Sequence, residues 1–426
     1  MDTKTGAPKS ECPVNELSFL DPALISDPFR AYEKLRDEQP IAFDASMGMY
    51  VVTRHADVRA VFADPQTYSN ADRDAKAFKA AASERVARNQ KRFQSEGWLY
   101  EPNVGYMDDP LHRDVRRIFD RALGAQKVKT MEADIAFIAD ELLSAIRLGQ
   151  VHEIVHELAE PLPMMVIFKQ VGVRREDMSM IKKWCDHLFK RMSFMESEED
   201  EQESITQEIK AQHYFMNVIR QLRSHPDDTI LGELVNTPIG EGRTMSDGEA
   251  LSSVLHTVFV AGSETTTFAI ASAVKILCDQ QELFSRLKNG GDRDIRQFIE
   301  EVLRLECPAV TVFRVASRDV QLHGVDIPQG SVLALKLGAA NRDERHFACP
   351  ERLNLDRANV RSHVAFGHGI HSCAGASLAR TELYILFKKI LDRYTGVHMA
   401  FPDRPVEYRP HVVFRAIDKL HVEFHD

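Results

Sequence analysis

Apolar positions recur at helical spacing over most of the chain. Asp27-Pro28 opens a helical pattern through Phe29, Tyr32 and Leu35, which Pro40 ends. Ile41–Phe43 and Met49–Val52 alternate in and out, so a strand pair is expected over 41–53. Val58, Val61 and Phe62 predict another helix. Residues 1–20 keep no period and read as an irregular lead-in. Residues 70–109 are polar and weakly periodic, with Trp98, Tyr100 and Tyr106 scattered among them, which suggests a long segment that is functional or mobile. From Leu111 to Thr311 the helical period dominates, with breaks at Gly124, Gly149, Pro161 to Pro163, Gly172 and Pro226. The acidic run Glu196–Glu203 reads as a solvated turn between helices. Short strands return between Thr311 and Leu335, with a tight turn near Gly324. Val412–Phe414 and His421–Phe424 suggest a closing hairpin. The expected class is mainly α with a small β part.

Charge then narrows the partners. Against 54 Lys and Arg stand 64 Asp and Glu, a net charge of −10. That balance disfavours nucleic-acid binding, which needs clustered cations. Hydrophobic residues make up 44% of the 426, enough for a substantial core. The cysteines, at 12, 185, 278, 307, 349 and 373, include no C-x-x-C pair, so zinc ribbons, thioredoxin-like sites and a disulfide framework lack support. Met1–Pro13 is polar and carries acids, unlike a signal peptide, and no uninterrupted apolar run of about 18 residues occurs. These features suggest a cytoplasmic chain that meets no membrane.

Candidate chemistry concentrates in Phe366-Gly-His-Gly-Ile-His-Ser-Cys373-Ala-Gly375. Gly367 and Gly369 allow a tight turn that points backbone N–H groups at a sulfur. Such bonds, with the start of the following helix, favour a thiolate. By the residues alone, a buried structural cysteine or a nucleophile with a histidine partner stays open. A second feature is Ala261-Gly262-Ser263-Glu264-Thr265-Thr266 inside a long apolar helix. Gly262 there costs roughly 1 kcal/mol relative to alanine, and the hydroxyls that follow can loosen the helix by taking backbone bonds. Glu301 and Arg304 stand at i and i+3, where an ion pair forms. His112 and Arg116 share a helical face, and Arg314 follows Phe313.

The cysteine segment fits F-G-x-G-x-H-x-C-x-G at every fixed position, and the chain resembles the cytochrome P450 superfamily from about Asp27 to its end. The resemblance implies one domain over 21–426 with a large helical part around haem and a small β-rich part. It implies haem b (iron protoporphyrin IX) with Cys373 as axial ligand, Phe366 against the ring, Gly375 at the start of the next helix, and His112, Arg116, Arg314 and His371 near the propionates. Ala261 and Gly262 would form an oxygen groove. Glu264 would supply protons and Thr265 would hold the oxygen, while Glu301–Arg304 would be structural with a third partner near Asn354 or Arg357. The activity implied is insertion of one atom of O2 into a hydrophobic small molecule by a monomer. Electrons would come from a ferredoxin with its NAD(P)H-dependent reductase, docked on a basic face at Arg113, Arg117, Arg121 and Lys127. Trp98, Leu99, Val104, Tyr106, Phe194, Val258, Ala261, Val310, Val312 and Val413 are substrate-contact candidates. A peroxide-driven peroxygenase and a haem sensor or carrier are the alternatives, and the pair Glu264–Thr265 weighs against both.

Overall fold

The structure is a computed structural model that describes residues 18–71, 83–193 and 195–426. Most of the lead-in 1–20, and Phe194, lie outside the described residues.

The helices are α1 (Pro22–Ser26), α2 (Phe29–Glu38), α3 (His55–Ala63), α4 (Ser83–Glu96), α5 (Leu111–Leu123) and α6 (Ala125–Ala145). They continue with α7 (Pro161–Val171), α8 (Met178–Arg191), α9 (Glu198–Ser224), α10 (Ile230–Asn236), α11 (Asp247–Asp279), α12 (Gln281–Glu306), α13 (Leu337–Ala340) and α14 (Ala376–Arg393). Strands β1 (Ile41–Asp44), β2 (Met49–Val52), β3 (Tyr68–Ser69), β5 (Thr311–Ala316) and β8 (Val332–Lys336) form one sheet in the order β1-β2-β8-β5-β3. A second sheet orders β4 (His152–Glu153), β10 (His421–His425) and β9 (Gly396–Met399), and β6 (Val320–Leu322) pairs with β7 (Val325–Ile327). The expected strand pair over 41–53 forms, with Ile41 opposite Val52, and short strands meet at the expected turn near Gly324, with Val320 opposite Ile327.

Helix α11 runs through the largest core cluster. A capping box starts it: Ser246 Oγ accepts from the Glu249 amide at 3.0 Å, and Glu249 Oε2 accepts from the Ser246 amide at 2.8 Å. By length and composition it could cross a membrane, but 78% of its most apolar window is buried in protein, as expected of a core helix. Its middle, Ser253–Glu264, is wound as a π-helix, with α-helix on either side.

Other expectations need correction. Residues 70–109 contain α4, whose arginine-rich sequence hides a short apolar stripe: Phe93 packs against Ile205 and Ile209. The acidic run is no turn. Ser197 Oγ accepts from the Asp200 amide, and Glu198–Glu201 fill the first turn of α9, where carboxylates complement the helix dipole. Pro161 and Pro163 begin α7, where a missing N–H costs nothing. The closing hairpin does not form: β10 pairs with β9 and β4, while Phe414 bridges to Ala309.

Glu301 and Arg304 are fully buried on α12. Arg304 Nε donates to Glu301 Oε1 at 2.6 Å, and Arg357 Nε donates to the same oxygen at 3.0 Å. The Asn354 amide donates to Oε2 at 2.7 Å. Arg357 is therefore the side-chain partner that the sequence left open between two residues. Both arginines also donate to carbonyls of the 348–352 segment, tying it to α12. Removing one member of such a network leaves uncompensated buried charge. Glu301→Ala should destabilise the fold by about 3–5 kcal/mol in denaturant unfolding; a loss below about 1 kcal/mol would contradict a structural role.

Candidate active site

The cysteine loop is built by local geometry. Gly367 and Gly369 adopt φ of +69° and +74°. A Cβ on Gly369 would stand 2.6 Å from the Phe62 carbonyl, so both the backbone angle and the space require glycine. The Cys373 amide donates to the Phe366 carbonyl at 2.8 Å and closes the turn. Cys373 is exposed on the wall of a cavity of about 350 Å³, with protein packed around its sulfur. That burial pushes its thiol up. Amide hydrogen bonds from Gly375 and Ala376 and the nearby Arg116 and Arg380 guanidinium groups pull the other way.

A second buried carboxylate holds this loop from behind. Arg380 donates to Glu300 at 2.7 and 2.9 Å, and His363 Nε2 lies 3.0 Å from Glu300 Oε2. Burial alone would raise the Glu300 carboxyl, but these hydrogen bonds overcome it and hold it at about 2. Arg380 in turn lies over the Phe366 ring, 4.4 Å from its centroid.

The cavity is also walled by α11 through Thr257, Val258, Ala261, Gly262, Thr265 and Thr266. Thr265 Oγ1 donates to the Ala261 carbonyl at 3.0 Å, and Ser263 and Thr267 make the same four-residue back-bond to Phe259 and Ser263. A Cβ on Gly262 would press on Ile167 at 3.2 Å. The Glu264 carboxylate is not part of the cavity wall. It is 2% exposed and accepts from Lys182 Nζ at 3.0 Å. Burial raises its carboxyl, which Lys182 only partly counters.

Two arginines and two histidines gather at another part of the wall: Arg116, Arg314, His112 and His371. The rings of His112 and His371 lie 4.0 Å apart. His112 Nδ1 is 3.3 Å from Asp109, while its buried Nε2 has no hydrogen-bond partner, as befits a donor waiting for an anionic ligand. Arg116 donates to the Ser372 carbonyl. A thiol able to ligate iron, cations for two carboxylates and an apolar interior suit a haem in this cavity.

A family model described as cytochrome P450 matches residues 61–416. The chain belongs to the cytochrome P450 family. Cytochrome P450 107B1 of Saccharopolyspora erythraea is 30% identical over 414 residues, covering 96% of this chain and 98% of that relative. The crystal structure of CYP109E1 from Bacillus megaterium in complex with testosterone aligns with TM-score 0.80 and 26% identity, over 95% of this chain and 99% of that one. Cytochrome P450 CREJ in complex with (4-ethylphenyl) dihydrogen phosphate aligns with TM-score 0.87 and 26% identity, over 97% of this chain and all of that one. Cytochromes P450 bind haem b, and this one is a monooxygenase that uses O2, a small-molecule substrate and a redox partner.

Of the substrate-contact candidates, Val104, Val258, Ala261 and Val312 wall the cavity. Trp98, Leu99, Tyr106, Val310 and Val413 do not. Trp98 is held by Gln212, Leu99 is 41% exposed, and Tyr106 packs on Tyr100. Val310 and Val413 pair through the backbone, the Val310 amide donating to the Val413 carbonyl at 2.8 Å. Sequence reasoning missed Leu337, Phe414, Lys182 and Glu382. Glu382 lines the cavity from α14, and burial pushes its carboxyl up to about 8 despite the Thr266 hydroxyl. Only its place in an otherwise apolar helical stripe could have singled it out.

The Glu300 clamp has a pH signature. A carboxyl depressed from 4.5 to about 2 adds stability that is present above its unfolded value and lost as pH falls through the folded one, about 3 kcal/mol in all. Glu300→Gln should therefore be less stable by roughly that amount at pH 7. Its difference from the parent should vanish by about pH 2. Equal stability at pH 7 would show that the clamp is idle.

Proposed function

We propose that Cys373 ligates haem b as a thiolate and that the chain oxidises a hydrophobic small molecule with electrons from a ferredoxin and its NAD(P)H-dependent reductase. The observation that carries this reading is that Thr265 and Cys373 wall one cavity, with the loosened stretch of α11 beside them. The bound haem supplies oxygen activation, which thiolate donation favours.

The chain's own residues supply the rest. Arg116 and Arg314 would neutralise the propionates, and His112 and His371 would donate hydrogen bonds to them. Phe366 would pack on the ring, and Gly375 would leave room for it at the start of α14. Ala261 and Gly262 keep the α11 side open. The Thr265 hydroxyl can leave the Ala261 carbonyl and pass a proton inward. Glu264 reloads it after rotating away from Lys182. This acid–alcohol pair favours a monooxygenase over a peroxygenase or a carrier, since neither needs a proton relay.

Val104, Val258, Val312, Leu337 and Phe414 give the substrate an apolar wall. The testosterone bound by CYP109E1 supports a hydrophobic substrate, and the (4-ethylphenyl) dihydrogen phosphate bound by CREJ shares an apolar aryl end while carrying an anionic phosphate. Arg117 and Arg121 are 68% and 60% exposed on α5. With Arg113 and Lys127 they form the face we assign to an acidic ferredoxin. The same reading takes 21–426 as one domain, monomeric and cytoplasmic.

Reduced protein under carbon monoxide should show the strongly red-shifted Soret band of thiolate ligation, and Cys373→Ala should lose it. Thr265→Ala should keep that band while product formation falls about 10²-fold and NAD(P)H oxidation continues. Full coupling in Thr265→Ala would refute the relay.

A further inference from the structure

If Glu264 feeds protons to the cavity, as proposed above, it must itself be refilled from solvent. It is 2% exposed, and its carboxylate sits among α8 side chains. The groups around it form one connected set. Lys182 Nζ lies 3.0 Å from Glu264, 2.6 Å from Asp186 and 3.2 Å from Glu160 Oε2. His156 Nδ1 lies 3.2 Å from that same Glu160 oxygen. His156 is on the π-turn Val155–Ala159, one turn before Glu160, and its side chain is 50% exposed. Exposure then falls along the row: 18% at Glu160, 13% at Lys182, 2% at Glu264. A second cavity, of about 510 Å³, opens beside this row, with His156, Glu160 and Asp186 on its wall.

We propose that this second cavity is the proton-entry port of the enzyme, with His156 as its solvent-facing collector and Glu160–Lys182 as the link to Glu264. Three carboxylates share one ammonium here, so the cluster carries excess negative charge and draws a proton inward. Imidazole is the side-chain type whose ordinary titration spans neutral pH. In one transfer, His156 Nδ1–H gives its proton to Glu160 Oε2. Lys182 then gives a proton to Glu264 Oε1 and recovers one from Glu160. His156 is reprotonated from bulk solvent. The sum is one proton moved from solvent to Glu264, with every other group restored.

The remaining charged neighbours are engaged elsewhere. On the segment of His156, Glu157 is 2.6 Å from His152, and Glu153 accepts from the His156 and Leu420 amides. From α8, Lys190 pairs with Asp200 at 2.9 Å, and burial keeps the Cys185 thiol protonated. From the C-terminal segment, Arg409 pairs with Asp418 at 2.9 Å, and burial pushes His411 down to about 3, so it stays neutral. Glu196, at the rim, accepts from Ser204. Asp186 is 47% exposed and touches Lys182 directly, which makes it the rival entry point.

The test uses the haem-loaded enzyme and follows the Glu264 carboxyl by infrared spectroscopy, its band assigned by subtracting Glu264→Gln. After a pH jump, the band should settle at least tenfold more slowly in His156→Phe and in Glu160→Gln than in the parent. Imidazole in the buffer should restore the rate in His156→Phe. Coupled product formation should fall in parallel, with substrate affinity and the carbon monoxide spectrum unchanged. Parental protonation rates in both variants would overturn the port, as would slowing confined to Asp186→Asn. If Thr265→Ala uncouples while both variants behave as the parent, the port fails and the relay stands. If Thr265→Ala stays coupled, the relay itself fails.

Discussion

Adjacent carboxylates on one buried turn of α12 set the position of the cysteine. Glu301 faces Arg304 and Arg357, and through them fixes the carbonyls of the 348–352 segment. Glu300 faces the other way, to His363 and Arg380, which flank Phe366 and Cys373 in the chain. The segment that carries the thiol is thus anchored at both ends to the same helix. Neither carboxylate could be buried alone. Each is matched by at least two cationic or amide donors, the condition under which buried charge is tolerated. A loop held so firmly can aim its amides at a sulfur without help from the ligand, which is preorganisation in the ordinary sense.

The opposite property is built into α11. A π-wound stretch is a poorer hydrogen-bonding arrangement than an α-helix and persists where something else stabilises it. Here the hydroxyls of Ser263, Thr265 and Thr267 take up carbonyls four residues back. Gly262 lets Ile167 of α7 press close. The result is a rigid surround with a locally exchangeable bond at Thr265. Charge is distributed to match. Glu264 is kept off the cavity by Lys182, so the apolar interior holds no fixed carboxylate from α11. Glu382, from α14, meets the same interior with its carboxyl pushed up to about 8 and therefore mostly uncharged at neutral pH.

Much of this was legible in the chain because it is local. The glycines at 367 and 369, the cysteine, and the run 261–266 lie within single turns, so spacing alone reports their geometry. The clamp was half legible: Glu301 and Arg304 share a helix face, but Arg357 reaches them from 53 residues beyond Arg304 across a segment without periodic structure. The acidic start of α9 was misread because carboxylates look like solvated loop in composition and like a favourable first turn in a helix. Only the Ser197 cap separates the cases. Likewise α4 was lost because its contact with α9 runs through Phe93 and through arginines such as Arg92, which donates to Gln202 and Thr206.

Which apolar residues line the cavity was harder to read, for a sharper reason. On a strand, successive side chains point to opposite faces, so an error of one residue exchanges the inside for the outside. On β5, Val312 and Arg314 face the cavity, while Phe313 and Val315 join the core behind the sheet. Val310 lies just ahead of that strand, where the alternation no longer applies, and its side chain packs among core residues instead. At the C-terminal segment Val413 was chosen and Phe414 is what reaches the cavity. Both belong to an apolar pair that no period distinguishes, because the segment makes one isolated bridge to Ala309 rather than a ladder. Contacts of this kind are set by where distant elements meet, and that information is spread over α11, β5, α13 and the C-terminal segment at once. Chemistry in this chain is written locally and can be read from spacing. Specificity is written in the packing between elements.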